Sequence, residues 1–391
     1  MGGNESSVSN SSTPFSTDVY MPVVGSRMSD QKIVDQLRKV SIGARSAVRT
    51  HIVRTAFTGI WSIVVPETGL FPCPRTGHFY CSSQDLHIAV CGFGVTHDEL
   101  YLDDIWKLDV DNMIWSRIVL SGTPVPPRVG AQAIIVKNIL YLFGGFKDPI
   151  YYNDLFSIDL NTGFTSRIDG SGSIPSPRSG GVIGFLNNEI YIWGGYDGLW
   201  PSDLHVFNIE SFNWTSYPQE VQGRTGIAFS QYEGFIFCYG SAKTGGLIQI
   251  DMPNRQVSLI QTTGSEPPSS IVNASMIHFD KYLVLIGGKA QNEWSLIYAC
   301  DIEKKWWFVW HVLPDGETVT DVDGSISDLG LFMLPRTHSM GVAYSENKRQ
   351  IIAFLGYPMK EPSPLFILSV GEALGVLHMR TDMLSTLQPR Q

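Results

Sequence analysis

Arginine recurs in this chain at a spacing that could do chemistry. Arg75, Arg128, Arg178, Arg224 and Arg336 each open a similar Arg-x-Gly-like start, with Ser269 in the same slot of one further unit. A guanidinium presents a planar fork of donors that binds carboxylate or phosphate in pairs. Residues at equivalent places in a repeating architecture lie on one ring, so two readings are open. Each arginine pairs with a local carboxylate or loop carbonyl, or the five form a cationic rim that captures an acidic or phosphorylated peptide of a protein partner. Other chemistry is scarce. No Walker loop, no G-x-G-x-x-G after a strand, no H-E-x-x-H and no G-x-S-x-G occurs, and Cys and His are nowhere clustered at zinc spacing. His78 and His338 follow Arg75 and Arg336 closely and read as strand residues rather than general bases. The stretch TDVDGSISDLG has the composition of a calcium loop. Aligning Gly324 as its central glycine, however, puts Val319 first and Gly330 last, where carboxylates are needed. The expectation is a chain with no catalytic residue, no metal site and no cofactor.

The elements that position the arginines repeat with them. IYIWGGYDGLWPSDLHVFNIESFNW, from Ile190, restates LYLFGGFKDPIYYNDLFSIDLNTGF, from Leu140. A strand ends in glycine at Gly94, Gly145, Gly195, Gly240, Gly288 and Gly356, a period of about 50 residues with one long insertion. A third strand follows (DIWKLD, DLFSID, DLHVFN, LIQID, LIYACD, LFILSV), and a large apolar residue opens a fourth at Trp115, Phe164, Trp214, Val257 and Trp307. Alternation buries one strand face against a neighbouring sheet. Glycine turns the backbone where a Cβ would collide. The Asp before the third strand is suited to capping a turn. The tryptophan fills the wedge between sheets.

These motifs resemble kelch repeats over roughly residues 57–370, and the resemblance implies a β-propeller. Trp61, in IWSIVVPETGLFPCPRTG, stands where Trp115 stands in IWSRIVLSGTPVPPRVG, yet no complete unit precedes it. A lone fourth strand at the N-terminal side closes a ring by completing the last blade, pairing with strands from about 339–370 and removing exposed edges. Six of every element give six blades. The fold class is all-β: a six-bladed kelch-type propeller over 57–371, with an insertion at about 313–334 and a C-terminal tail from 372.

Residues 1–28 are rich in Ser, Asn, Thr and Gly and read as a disordered tail. Over 29–56, Ile33, Val34, Leu37, Val40, Ala44, Val48 and Ile52 share one helical face, and Lys32, Arg38, Lys39, Arg45, Arg49 and Arg54 the other. The predicted basic amphipathic helix docks on the propeller, on an anionic membrane surface or on a partner. MGGNES fits an acylation signal with Gly2 as the myristate acceptor, and the basic face would be the second signal that a single acyl chain requires. Charge follows the same division: through Phe57 the chain carries +3, leaving −12 for the rest of the −9 total. An acidic body with a basic arm does not suit nucleic acid.

No run of 18 apolar residues and no signal peptide is present, and five scattered cysteines fit free thiols in a reducing compartment. The expected location is cytoplasmic, or peripheral on the cytoplasmic face of a membrane. Kelch-like propellers include enzymes as well as interaction modules. The reading is therefore a non-enzymatic scaffold or adaptor, with a propeller enzyme acting on a sugar or small molecule, and a structural subunit, as alternatives. The resemblance to ubiquitin-ligase kelch adaptors does not bring their role, because their dimerisation domain has no counterpart here.

Overall fold

The computed structural model describes residues 49–65, 69–241, 246–290, 297–310, 312–314 and 337–379. The chain divides into two compact units, Gly59–Val370 and a second made of Met1–Thr58 with Gly371–Gln391. In the second unit the described residues, 49–58 and 371–379, are strand.

Gly59–Val370 is a six-bladed propeller of antiparallel sheets. Blade 1 runs from the axis outward as Phe79–Ser83, Ile88–Gly92, Ile105–Asp109 and Ile114–Ile118. Blades 2, 3, 4 and 5 repeat that order, with innermost strands Gln132–Val136, Val182–Leu186, Ala228–Tyr232 and Ser275–Phe279. Blade 6 takes three strands from the end of the propeller, Gly341–Ser345, Gln350–Phe354 and Leu365–Met379, and its outer strand, Arg49–Val64, from the beginning. The expected closure is therefore what the sheet contains. Trp61, 3% exposed, lies in the register position that Trp214 and Trp307 hold in their blades.

Backbone hydrogen bonds link the blades into a ring. The second residue of each turn after the second strand donates its N–H to the next blade: Gly94 to Arg128 (3.0 Å), Gly145 to Arg178 (2.9 Å), Gly195 to Arg224 (2.8 Å), Ser241 to Ile271 (2.8 Å), Gly288 to Thr337 (2.7 Å), and Gly356 back to Arg75 (3.0 Å). That ring corrects two slots. Ile271, not Ser269, stands in the arginine position of blade 5, and Thr337, not Arg336, stands there in blade 6. Both left-handed residues of each turn are needed; Phe93 and Leu355 supply the first of them without being glycine, and Ser241 supplies the second.

Cores lie between adjacent blades. Phe79, Val90 and Ile105 of blade 1 pack with Ala133, Leu140 and Leu142 of blade 2. On its other side Ala89, Cys91 and Trp115 pack with Ala343, Ile352 and Ile367 of blade 6, so first and last blades share one apolar layer. All five cysteines are unpaired, and burial pushes the Cys91 and Cys300 thiols up to about 12.

Three further readings change. Phe164 is 56% exposed; Thr165, opposite Ile158 as Trp115 is opposite Leu108, is the buried residue of that strand. Its hydroxyl faces the carbonyl oxygens of Ser121 and Thr123. Strand Arg49–Val64 takes in the last residues of the expected helix, 49–56, where β-branched Thr50, Ile52, Val53 and Thr55 favour extended backbone. The rest of that helix, the tail before it and most of the 313–334 insertion lie outside the described residues. Likewise, strand Leu365–Met379 continues past 371 into the expected tail.

Candidate protein-interaction face

Because every blade runs its strands in the same order, the Arg-x-Gly starts and the loops joining second to third strands meet at one face. The arginines lie just beneath it. Arg75 and Arg128 are fully buried and Arg178 nearly so. Each is ion-paired with the Asp preceding or opening the third strand's core segment: Arg75 with Asp104, Arg128 with Asp154, Arg178 with Asp203. Each guanidinium also donates to the carbonyl of the first turn residue in its own blade, Phe93 (3.2 Å), Gly144 (3.0 Å) and Gly194 (3.3 Å). Arg224 has no such aspartate among its described contacts and donates to Gly240 (2.9 Å).

The aspartates thus receive guanidinium groups rather than capping turns. Turn capping falls to the other end of the third strand, where Asp109 and Asp159 accept backbone N–H groups, as does Asn208. Burial raises the Asp104 carboxyl, but the Arg75 and Trp106 hydrogen bonds outweigh it and hold it below the ordinary carboxylate range. A hydrogen bond from His205, against opposing burial, and the Arg178 charge hold Asp203 at about 2.

The expected cationic rim is therefore not what Arg75, Arg128 and Arg178 build. Their charge is neutralised internally, and they tie the third strand to the turn and to the incoming connection. Arg336 lies outside the described residues, as do Gly2, Lys32, Arg38, Lys39 and Arg45; Arg49 begins the outer strand of blade 6. His78 is buried with neither ring nitrogen partnered, and burial pushes its pKa down to about 3. His338 stacks on Tyr357 with centroids 4.8 Å apart, and burial lowers it to about 4.

What the arginines support is an aromatic ladder that the sequence reading passed over, half-buried at Phe146, Tyr151 and Tyr196 and exposed at Trp200. Phe146 and Tyr151 of blade 2 have centroids 4.5 Å apart, Tyr151 lies 6.2 Å from Tyr196 of blade 3, and Tyr196 lies 5.2 Å from Trp200. The ladder is flanked by Ile150, Leu199 (73% exposed) and, on blade 1, Leu100 (63% exposed). Lys147 sits 5.6 Å over the Tyr101 ring and joins blade 1 to blade 2. Asp98, Glu99, Asp103 and Asp148 are exposed around these loops, making the rim acidic. The signal was present in GGFKDPIYYND and GGYDGLWPSD: aromatics between glycine pair and aspartate, at places the fold does not need them. Contiguous surface of this kind, with Leu100, Ile150, Leu199 and Trp200 exposed around half-buried aromatics, marks interaction sites.

At the opposite mouth the axial channel widens into a cavity of about 340 Å³, lined by Tyr80, Asp85, Gln231, His278 and Tyr344 among others. Burial lowers the His278 pKa there.

Residues 43–241 match the KLHDC2/KLHL20/DRC7 Kelch-repeats domain. The chain is similar to Kelch repeat-containing protein 2 of Saccharomyces cerevisiae, 29% identical over 59% of this chain and 23% of that protein. Host cell factor 2 of Homo sapiens is 36% identical over 22% of this chain and 11% of its own length. Dynein regulatory complex subunit 7 of Chlamydomonas reinhardtii is 34% identical over 20% of this chain and 7% of its own. The matched regions span less than a quarter of each of these relatives. With the six linked blades, the glycine turns and the buried Arg–Asp pairs, the chain belongs to the kelch-repeat family.

Proposed function

We propose that this propeller is a protein-binding module that holds its partner on the aromatic face of blades 1–3. The observation that carries the reading is the ladder Phe146–Tyr151–Tyr196–Trp200, with Leu199 and Ile150 beside it. Rigid aromatic side chains give large contact area at low entropic cost and dominate interface energetics. The acidic surroundings (Asp98, Glu99, Asp103, Asp148) select a partner segment that pairs apolar side chains with Lys or Arg. An acidic or phosphorylated peptide is disfavoured there, because the arginines that would bind it are engaged inward. The test is affinity capture with the wild type, a Leu199→Ser/Trp200→Ala variant, and Ile114→Ser, which alters exposed apolar surface on the outer strand of blade 1. Partners retained by wild type and Ile114→Ser but lost by the face variant support the reading; equal capture by all three refutes it.

A separate proposal concerns the N-terminal arm. An acyl chain on Gly2 and the basic residues Lys32, Arg38, Lys39, Arg45 and Arg49 would together tether the propeller to an anionic membrane surface.

A further inference from the structure

Among the described residues, the outer strand of four blades carries an extra, parallel segment supplied by the incoming connection. Ser121–Gly122 lies on Phe164–Ile168, Ser171–Gly172 on Asn213–Tyr217, Thr263–Gly264 on Trp306–Trp310, and Val312–Pro314 on Arg49–Val64. Three of the four are Ser-Gly or Thr-Gly, with glycine opposite Thr165, Trp214 or Trp307. Those glycines have φ of 86°, 84° and 92°, and a Cβ on any of them would collide with the carbonyl oxygen across from it. The slot therefore accepts an extended segment of hydroxyl residue then glycine.

Blade 4 has the slot without the segment. Its outer strand, Gln256–Ile260, ends its sheet. The cause is in the sequence: only residues 218–223 separate Tyr217 from Arg224, whereas 169–177 separate Ile168 from Arg178. The side chain of Gln219 covers part of the gap, donating to the Arg255 carbonyl (3.0 Å) and accepting from the Val257 N–H (2.8 Å). It imitates one peptide group of the missing segment. The next bond is not made: Thr123, Ser173 and Ser265 donate to Thr165, Trp214 and Trp307 (2.9, 2.9 and 2.8 Å), but among the described residues no N–H meets the equivalent carbonyl of Val257. Alongside runs an open cleft of about 620 Å³ between Pro218–Val221 and Asn254–Leu259, with Leu259 exposed in it.

We propose that the outer edge of blade 4 is a second docking site, taking an extended Ser/Thr-Gly peptide segment of a partner protein. The segment adds as a parallel strand to Gln256–Ile260, displaces the Gln219 amide and places its glycine opposite Val257, in the β-augmentation mode. This site is remote in sequence from the aromatic face and independent of it.

A probe exists in the chain itself: a synthetic peptide IDGSGSIP, residues 168–175, which fills the slot of blade 3. Titrated into the full chain and followed by fluorescence anisotropy, it should bind the wild type, and a copy with valine for the second glycine should not. Gln219→Ala should bind about tenfold tighter, since the peptide no longer replaces existing hydrogen bonds. A variant in which residues 218–223 are exchanged for the 169–177 sequence fills the slot in cis and should lose binding. The proposal is overturned if the wild type and Gln219→Ala both ignore the peptide, or if the valine peptide binds equally. It is also overturned if the cis-filled variant binds as the wild type does, or if the edge is consumed by concentration-dependent dimerisation instead.

Discussion

The guanidinium carbon of Arg128 lies 4.0 Å from the centre of the Tyr152 ring, directly under the loop that carries Tyr151. Fully buried, paired with Asp154 and bonded to the carbonyls of Pro126 (2.9 Å) and Gly144 (3.0 Å), it supports the aromatic face without belonging to it. Arg128→Ala leaves Asp154 without its counter-charge and should destabilise the propeller by about 3–5 kcal/mol, the range for removing one partner of a buried pair. Chemical denaturation measures it. A variant that unfolds like the wild type but loses a partner would restore the cationic-rim reading.

The face itself should behave in the opposite way. Trp200 is 49% exposed, and Trp200→Ala should cost about 2 kcal/mol or more of partner affinity. Its melting temperature should stay within error of the wild type. Tyr196, edge-on to Tyr151 and tilted against Trp200, should couple to it, so that a double-mutant cycle gives a non-additive loss.

Acid should weaken the fold in two stages. His78 and His338 are held neutral in the folded protein, at about 3 and about 4, against about 6.5 unfolded. Between these values the unfolded chain binds the extra protons, so stability is complete above 6.5 and declines as pH falls, by about 1 kcal/mol per histidine per unit. Asp104 and Asp203, both depressed, contribute stability above about 4 that is lost as pH falls further. His78→Ala places in blade 1 the residue that blade 2 has at Ala131, and should flatten the first stage. An unchanged slope of melting temperature between pH 7.5 and 5.5 would contradict this account.

Closure gives a graded test. Trp61→Ala opens a cavity in a buried site and should cost about 3–5 kcal/mol. Thr165→Ala, at the same place in blade 2, removes a hydroxyl facing two carbonyls and should cost about 1 kcal/mol. Deleting residues 57–66 should cause aggregation, because blade 6 loses its outer strand.

The arm proposal is checked by labelling with a myristate analogue. Label on Gly2, with release of the Gly2→Ala variant from membranes, is the expected outcome. A chain whose Arg38, Lys39 and Arg45 are neutralised should be released as well.

Much of the fold was legible because repetition multiplies weak signals. A strand-ending glycine means little once, but six occurrences define blades, and a lone Trp61 with no unit before it implied closure. Register within degenerate units was not legible. Ile271 and Thr337 do the work of Arg75 through a backbone carbonyl, and a carbonyl leaves no trace in residue identity. Thr165 replaces a tryptophan, so the apolar neighbour Phe164 drew the alignment off by one. Arginine stood out at the site because it recurs, and it recurs because it is structural. The aromatic ladder was passed over because it does not repeat: Phe146, Tyr151, Tyr196 and Trp200 occupy loops that other blades fill differently.

Sharing the sixth blade between both ends of the propeller also sets an order of events during synthesis. Strand Arg49–Val64 leaves the ribosome early, and its partner strand Leu365–Met379 only after the other blades. At ordinary translation rates that interval is on the order of tens of seconds. Throughout it, Trp61 and one whole strand edge have nowhere to go, and blade 1 lacks one wall of its apolar layer. Until the final blade arrives and the ring becomes continuous, that edge is open to pairing with other chains.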